Sequence, residues 1–370
     1  MSTQSLRLAL DAGPLYGHRT GVATAVDGMM QALERCDHVT VKPYLVSFRS
    51  TPSVGHSRLP LPGVVASHLW SRVDRPRADR WLGDVDLVHG TNYVAPPTRL
   101  PTVISVYDCW FLAHPDKATP VVRRAGAALQ RAVRRGAWIH ASSDATAQGA
   151  RSLLGTDRVV TVALGPPPKP SAGIKVGQPQ SASPFAGSSF VVAIATEERR
   201  KALHVLVQAF NLVADRHQES HLVLAGGPGD DSDAVTAAIE ALPASIRSRV
   251  HRLGRVDDDT KHWLMRNAAA LAYPSLDEGF GFPILESQSA GTPVVASRVG
   301  SIAEVAGTAA VLVDGHHPEA FAAGLDRVLT GGVERLGLIE AGYRNVTRFS
   351  WEQTASGLTD LYRQVIEAHR

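Results

Sequence analysis

Cysteine is scarce in this chain, and long hydrophobic runs are missing. Its 370 residues include only Cys36 and Cys109, which are too few for a disulfide framework and do not have the spacing of a zinc site. No apolar stretch approaches the roughly 20 residues that a membrane-spanning helix needs, and the first residues lack a signal-peptide pattern. We therefore expect a cytoplasmic protein.

The excess of charge of either sign is also small. The 38 Lys and Arg residues against 35 Asp and Glu residues leave a net charge of +3. This is too little for a nucleic-acid binder, whose affinity depends on neutralising phosphates. The length predicts two domains at about 150 residues each.

Short apolar runs, many of them β-branched, alternate with helical patterns in both halves of the chain. Such runs are typical of buried parallel strands, and Thr20 and Thr119-Pro120 predict two helix starts. The predicted fold class is α/β, with a doubly wound sheet in each half. The alternation stops in a segment rich in proline and serine. The predicted parts are 1–168, a linker over 169–188, a second domain over 189–350, and a C-terminal helix over 351–370.

The most informative segment is 274–286, Pro-Ser-Leu-Asp-Glu-Gly-Phe-Gly-Phe-Pro-Ile-Leu-Glu. A strand ending at Tyr273 is followed by a glycine-containing loop and by Pro283 at a predicted helix start, whose free backbone N–H groups suit a phosphate. Glu286, placed in the first helical turn, suits a vicinal diol such as a ribose, and Glu278 would face the same pocket. Taken alone, two such carboxylates also fit solvated groups near a helix start.

Glu278 and Glu286, with Gly-Phe-Gly-Phe-Pro between them, resemble the E-x7-E signature of the retaining GT-B glycosyltransferases of the family 4-like group. That group includes bacterial mannosyl-, glucosyl- and N-acetylglucosaminyltransferases. Thr196-Glu-Glu-Arg-Arg-Lys resembles the E-P-R-K-N-L segment of the same family. Further matches follow in order at 11–22, 225–229, 254–256, 300–305 and 349–352.

The resemblance implies two Rossmann-like domains, the first binding the acceptor and the second the nucleotide sugar, with the C-terminal helix crossing back to the first. It implies that Glu286 binds the ribose hydroxyls and that Glu278 contacts the donor sugar or supports its orientation. It also implies that Arg200 and Lys201 pair with the diphosphate. The other donor-binding candidates are Gly279, Phe280, Gly281, Phe282, Thr196 and Tyr107. The predicted catalytic residues are Asp108, Glu278, Arg200 and Lys201.

Two features of the first half bear on the sugar and the acceptor. Tyr107-Asp108 stands where relatives often have His-Asp, which leaves Tyr107 either a core residue or a sugar contact. The family's glycine-containing loop matches Gly17, His18, Arg19, Thr20 and Gly21, and we expect these residues to touch the acceptor.

A predicted helix over Thr119 to Gly136 concentrates arginines on one side. Arg123, Arg124, Arg131, Arg134 and Arg135 fall within an arc of about 120°, opposite Val122, Leu129 and Val133. The arc fits a solvated face, a surface for an anionic acceptor, or a peripheral contact with a membrane. Asp84-Val85-Asp86 has the D-x-D form of some metal sites but fits the polar start of a strand better, so we expect no obligatory metal or other cofactor.

The predicted function is retaining, metal-independent, front-face transfer of a hexose-type sugar from a nucleotide-diphospho-sugar to an acceptor. The accepting group is a hydroxyl or other nucleophile of a glycan, a lipid-linked sugar or a small metabolite. A GDP-sugar is slightly favoured over a UDP-sugar as the donor. A nicotinamide-dependent oxidoreductase would need G-x-G-x-x-G, and Gly13, Gly17 and Gly21 lack that spacing. A non-catalytic nucleotide-sugar-binding subunit and a sugar-nucleotide epimerase of the same fold remain open.

Overall fold

The computed structural model describes residues 5–17, 20–167 and 177–370 and divides into two compact units. The first unit comprises Met1–Gly165 and Phe349–Arg370, and the second comprises Pro166–Arg348. Each unit is a parallel β-sheet with helices on its faces, which is the architecture that the alternating sequence pattern predicts.

The first unit contains a seven-stranded parallel sheet in the order β3-β2-β1-β4-β5-β6-β7. Its strands are β1 (Leu6–Asp11), β2 (Val39–Val46), β3 (Ser57–Leu59), β4 (Leu87–Gly90), β5 (Thr102–Val106), β6 (Trp138–Ala141) and β7 (Val159–Thr161). Its helices are α1 (Gly21–Glu34), α2 (Gly63–Trp70), α3 (Asp79–Leu82), α4 (Trp110–Ala113), α5 (Pro120–Arg134), α6 (Asp144–Leu154) and, from the end of the chain, α15 (Trp351–His369).

Both predicted helix starts are confirmed. The Thr20 side chain accepts a hydrogen bond from the Ala23 N–H at 3.3 Å and begins α1. The Thr119 side chain accepts one from Val122 at 3.4 Å, with Pro120 as the first residue of α5. The first N–H groups of a helix have no carbonyl partner within the helix, and each threonine side chain accepts a hydrogen bond from one of them.

A chain of buried polar side chains runs across the middle of this sheet. His140 Nε2 lies 2.9 Å from the Val162 carbonyl, His140 Nδ1 lies 2.8 Å from Ser105 Oγ, and Ser105 Oγ lies 2.8 Å from His89 Nε2. The chain ends at Tyr362 of α15, whose hydroxyl lies 2.7 Å from His89 Nδ1.

The direction of each hydrogen bond in this row of side chains follows from the neutrality of the two histidines and from the Val162 carbonyl at its end. Burial lowers the pKa of His89 well below its ordinary value and that of His140 to about 4, so both imidazoles are neutral at neutral pH. Because a carbonyl only accepts, His140 donates from Nε2 and accepts the Ser105 proton at Nδ1. Ser105 then accepts from His89 Nε2, and His89 Nδ1 accepts from Tyr362.

Helix α15 packs on the first unit next to the point where the chain leaves it. The Trp351 ring fills the space in front of Gly28 and Gly165, where an added Cβ would lie 2.2 Å and 2.5 Å from ring atoms. The Thr354 hydroxyl donates to the Ala163 carbonyl at 2.8 Å. The glycines are therefore required at both positions by the close approach of one indole ring.

The second unit contains a six-stranded parallel sheet in the order β10-β9-β8-β11-β12-β13. Its strands are β8 (Ser189–Ile194), β9 (Ser220–Ala225), β10 (Val250–Gly254), β11 (Ala270–Tyr273), β12 (Val294–Ser297) and β13 (Val311–Val313). Its helices are α7 (Leu203–Val213), α8 (Ser232–Glu240), α9 (Ala244–Arg247), α10 (Asp258–Asn267), α11 (Phe282–Ala290), α12 (Ile302–Ala306), α13 (Pro318–Leu329) and α14 (Gly332–Val346).

Part of the segment 169–188, expected as a linker, packs into the core of the second unit. Phe185 is 1% exposed and its ring meets Phe190 of β8 edge-on, with ring centroids 5.1 Å apart. Ala182 is also fully buried in the same core. Residues 168–176 lie outside the described residues. The polar composition of this segment hid the two apolar side chains that attach its second half to the sheet.

Candidate functional site

The loop between β11 and α11 has the geometry expected of an anion site in the second unit. Gly281 precedes α11 with φ +90°, a left-handed conformation that favours glycine. Pro283 lies in the first turn, where its missing N–H costs no helical hydrogen bond. The first N–H groups of the nine-residue helix α11 carry the positive end of its dipole.

Four polar side chains meet beside this loop, at the carboxyl ends of β8 and β11. Glu278 Oε2 accepts hydrogen bonds from Lys201 Nζ and, at 2.6 Å, from the Tyr273 hydroxyl. Arg200 NH1 lies 3.7 Å from the other carboxylate oxygen. Glu278 and Lys201 are 77 positions apart in the chain, so the fold brings them together.

The charge balance of this cluster keeps Glu278 ionised. Burial is the largest single influence and opposes ionisation, but Lys201, Arg200 and the hydrogen bonds to the carboxylate outweigh it. The pKa of Glu278 therefore lies below its ordinary value. Burial and the adjacent carboxylate raise the pKa of Tyr273 well above 10, so its hydroxyl stays protonated and donates.

The segment that carries Arg200 and Lys201 is fixed from both sides. A short 3-10 helix, Arg199–Lys201, follows β8, and the Leu276 N–H donates to the Arg200 carbonyl at 2.6 Å. Glu197, which is 5% exposed, forms a bidentate pair with Arg252 through contacts of 3.0 Å and 2.6 Å. The two cations are therefore held on an ordered backbone.

Glu286 forms a second ion pair, separate from the Glu278 cluster. Lys261 Nζ of α10 lies 2.7 Å from Glu286 Oε1, and the Glu286 side chain is only 11% exposed. The expected position of Glu286 in the first helical turn is wrong, because α11 begins at Phe282 and Glu286 is its fifth residue. Its carboxylate is held by a lysine rather than by the start of the helix.

The structure places the remaining donor-site candidates on the same unit. Gly279, Phe280 and Gly281 are buried, and the Phe280 and Phe282 rings meet edge-on with centroids 5.2 Å apart. Thr196 is exposed at the end of β8. Their contacts with a nucleotide sugar stay predictions.

Residues 189–331, which carry all of these groups, match the family described as Glycosyl transferases group 1. The D-inositol 3-phosphate glycosyltransferase of Thermobispora bispora is 30% identical over 332 residues, covering 83% of this chain and 72% of that protein. The chain belongs to the group 1 glycosyltransferases.

Two further relatives match over different lengths. The O-antigen chain mannosyltransferase B of Escherichia coli is 28% identical over 79% of this chain and 78% of its own length. The D-inositol 3-phosphate glycosyltransferase of Salinispora tropica is 37% identical over 181 residues, and this chain spans only 37% of its length.

Solved structures with the same GT-B fold cover almost the whole chain. WaaG, a glycosyltransferase involved in lipopolysaccharide biosynthesis, aligns with 95% of this chain and 98% of its own at a TM-score of 0.68 and 15% identity. Anabaena Alr3699/HepE in complex with UDP-glucose covers 98% of this chain and 99% of its own at a TM-score of 0.66 and 16% identity. At these identities the likeness concerns the fold alone.

In the first unit of this group 1 glycosyltransferase, Tyr107 and Asp108 make intramolecular contacts. Tyr107 is 8% exposed, its hydroxyl is buried, and its ring meets Tyr93 edge-on at 5.8 Å. This favours the core alternative for Tyr107 over the sugar contact. Asp108 accepts hydrogen bonds from the Trp110 N–H and the Tyr93 hydroxyl, both at 3.2 Å, and so stabilises the turn before α4.

The candidate acceptor loop is only partly described. Gly17 is exposed before α1, Thr20 caps that helix and Gly21 is its first residue. His18 and Arg19 lie outside the described residues. An acceptor contact at this loop stays a prediction for the glycosyltransferase.

The arginine side of α5 is less open than the helical pattern predicts. Asp74 Oδ1 pairs with Arg131 at 3.2 Å and also with Arg135, and Arg123 donates to the Ala118 carbonyl. The expected apolar side is wrong at Val122, which is 38% exposed because the helix buries Gly126, Ala128, Leu129 and Ala132 instead. Among the described residues, none of the helices combines the length and hydrophobicity that crossing a bilayer requires.

The Asp84-Val85-Asp86 motif is engaged with Arg7. Both carboxylates contact the Arg7 guanidinium, which holds the pKa of Asp86 below its ordinary value. Within residues 5–17, 20–167 and 177–370, no three His, Cys, Asp or Glu side chains cluster as metal ligands. The aspartates thus attach the start of β1 to the segment before β4.

Sequence reasoning missed Tyr273 and Lys261. The sequence pattern identifies Tyr273 only as the end of a strand, but its position next to the loop is a signal that its hydroxyl can reach the site. Lys261 belongs to a helix that the periodicity did not reveal, because α10 has a polar composition, and no local pattern links it to Glu286.

Proposed function

We propose that this chain is a retaining glycosyltransferase that moves a hexose from a nucleoside-diphosphate sugar to a hydroxyl group. The observation that carries the proposal is the convergence of Arg200, Lys201 and Glu278 beside the start of α11. Two cations on an ordered backbone and a helix amino terminus favour a diphosphate, and a carboxylate next to them suits a sugar hydroxyl. Family membership supports this assignment.

The chemistry requires stabilisation of the leaving diphosphate. As the glycosidic bond breaks, negative charge grows on the diphosphate, and Arg200 and Lys201 lie on an ordered backbone that needs no rearrangement to meet it. We propose front-face transfer, in which the departing phosphate oxygen takes the proton of the acceptor hydroxyl. No metal ion is used in this scheme.

We propose a GDP-sugar as the donor in preference to a UDP-sugar. The relative from Escherichia coli is named a mannosyltransferase, and the E-P-R-K-like segment supports the same choice. HepE with UDP-glucose keeps the UDP-sugar as the second candidate. The acceptor is a glycan, a lipid-linked sugar or a small polyol; the D-inositol 3-phosphate relatives support the last of these.

A thermal-shift titration with GDP, UDP, ADP and dTDP and their sugar conjugates in EDTA tests the donor site. A ligand at 100 times its Kd adds about 2.7 kcal/mol of stability, which raises Tm by roughly 5–11 °C in a unit of this size. Glu286→Gln should weaken the preferred nucleotide about tenfold through the lost ribose contact. The exposed Glu340→Gln is the matched control.

Absence of any shift across the series would refute the nucleotide-sugar site. An equal shift in Glu286→Gln and in the wild-type protein would refute the ribose role of Glu286. Stereochemistry is tested separately, by NMR of the product. Inversion at the anomeric carbon would refute the retaining mechanism.

A further inference from the structure

Tyr273 is the last residue of β11 and lies beside the ion pair of Lys201 and Glu278. It is 3% exposed, and its hydroxyl donates to Glu278 Oε2 at 2.6 Å. Lys201 Nζ contacts the same carboxylate oxygen and lies 3.4 Å from the Tyr273 hydroxyl oxygen. One carboxylate oxygen therefore has two donors, one charged and one neutral.

The two donors differ in what an incoming diphosphate does to them. Lys201 is a charge on a flexible stem, and a diphosphate competes with Glu278 for its ammonium group. Tyr273 is buried and its hydroxyl is neutral, so a diphosphate does not draw it away from the carboxylate as it draws an ammonium group. When Lys201 turns to the diphosphate, Glu278 keeps the Tyr273 hydrogen bond and is not left buried without a donor.

We infer that Tyr273 is a positioning residue of the donor site, whose hydroxyl holds Glu278 toward the donor sugar while Lys201 redirects its charge to the diphosphate. This inference rests on the proposed function and assigns a role to a residue outside the E-x7-E and basic segments. Tyr273 itself touches neither the sugar nor the phosphate in this scheme.

The charged groups around the hydrogen-bonded pair of Tyr273 and Glu278 come from two segments. The 3-10 segment supplies Lys201 and Arg200, and Arg200 also pairs with Glu198 at 2.8 Å. The loop supplies Asp277, whose carboxylate accepts the Glu278 N–H at 2.9 Å. Because the Tyr273 hydrogen bond lowers the pKa of Glu278, its removal raises that pKa while both cations remain.

The test compares Tyr273→Phe with the wild-type protein by calorimetric binding and by kinetics across pH. We expect the sugar nucleotide to bind about tenfold more weakly, because one hydrogen bond to a charged group is lost. The Kd of the free nucleoside diphosphate should change by no more than about twofold. The acid limb of the kcat/KM profile should move to higher pH. Tyr343→Phe, at a half-exposed tyrosine of α14, is the control and should change neither the binding of these ligands nor the pH profile.

A double-mutant cycle with Glu278→Gln gives an independent readout. If Tyr273 acts through Glu278, the Tyr273→Phe effect shrinks in the Glu278→Gln background. Additive effects, or equal weakening of the sugar nucleotide and of the free diphosphate, would overturn the inference and leave Tyr273 a packing residue. A wild-type protein that binds no nucleotide would instead refute the proposed function, before any variant is made.

Discussion

Tyr362→Phe tests the buried polar chain of the first unit, because it removes one hydroxyl and leaves the ring in place. His89 Nδ1 would then be a buried acceptor without a donor. The direction of the chain prevents a simple rescue, since His140 must donate to the Val162 carbonyl and Ser105 has a single proton. An unsatisfied buried group costs about 1–3 kcal/mol.

The expected loss of unfolding free energy corresponds to a fall in Tm of roughly 2–12 °C for a unit of this size. Urea unfolding followed by tryptophan fluorescence is the appropriate assay, because five of the six tryptophans lie in the first unit and Trp263 lies in the second.

Tyr44→Phe is the matched control for this experiment. Tyr44 is also fully buried in the first unit, but its hydroxyl has no hydrogen-bond partner among the described residues. Because an unsatisfied buried hydroxyl is itself destabilising, its removal should leave the unfolding free energy unchanged or raise it. Equal losses in the two variants would refute the reasoning, because the effect would then belong to the lost oxygen atom and not to the hydrogen-bond chain.

Three further outcomes are expected from stability measurements. His140 has a pKa of about 4 in the folded protein against 6.5 unfolded, so the unfolding free energy should fall by about 1.4 kcal/mol per pH unit as pH drops from 6.5 to 4. His89 adds to this slope, and a urea midpoint that does not change with pH would contradict the prediction. Asp11 has its pKa raised to about 7 by burial, so Asp11→Asn should gain stability over the wild type as pH rises from 4 to 8, and a constant difference would contradict this. Ala202 has φ +47°, a strained conformation for alanine, so Ala202→Gly should be neutral or stabilising by up to about 1 kcal/mol. The control Ala209→Gly, inside α7, should cost about 1 kcal/mol or more, and equal losses in the two variants would show that Ala202 is not strained.

Much of the fold follows from local patterns. The buried strands β4, β8, β11 and β12 are short apolar runs covered on both faces. Helices α1, α5, α6, α10 and α15 begin after residues whose side chains cap them. Strands β2, β3 and β13 were not predicted. Proline and lysine interrupt β2, and β3 and β13 have three residues each, too few for a periodic signal.

The candidate site was predictable as a set of motifs but not as a set of contacts. Glu278, Glu286, Arg200 and Lys201 follow from their spacing and from the family resemblance. Which cation each glutamate meets depends on strand order and on helix α10, which no local window contains. Tyr107 shows the opposite case, because its motif position left a core residue and a sugar contact open, and its burial favours the core.

The first unit is discontinuous in the chain, and this has a consequence for its synthesis. The ribosome must make Pro166–Arg348 before α15 emerges, a delay of roughly 10–40 s at typical elongation rates. During that interval the surface of α1 at Gly28 lacks the Trp351 ring, and His89 lacks its tyrosine donor. The first unit therefore begins before the second but cannot complete its core until all of the second unit has been synthesised.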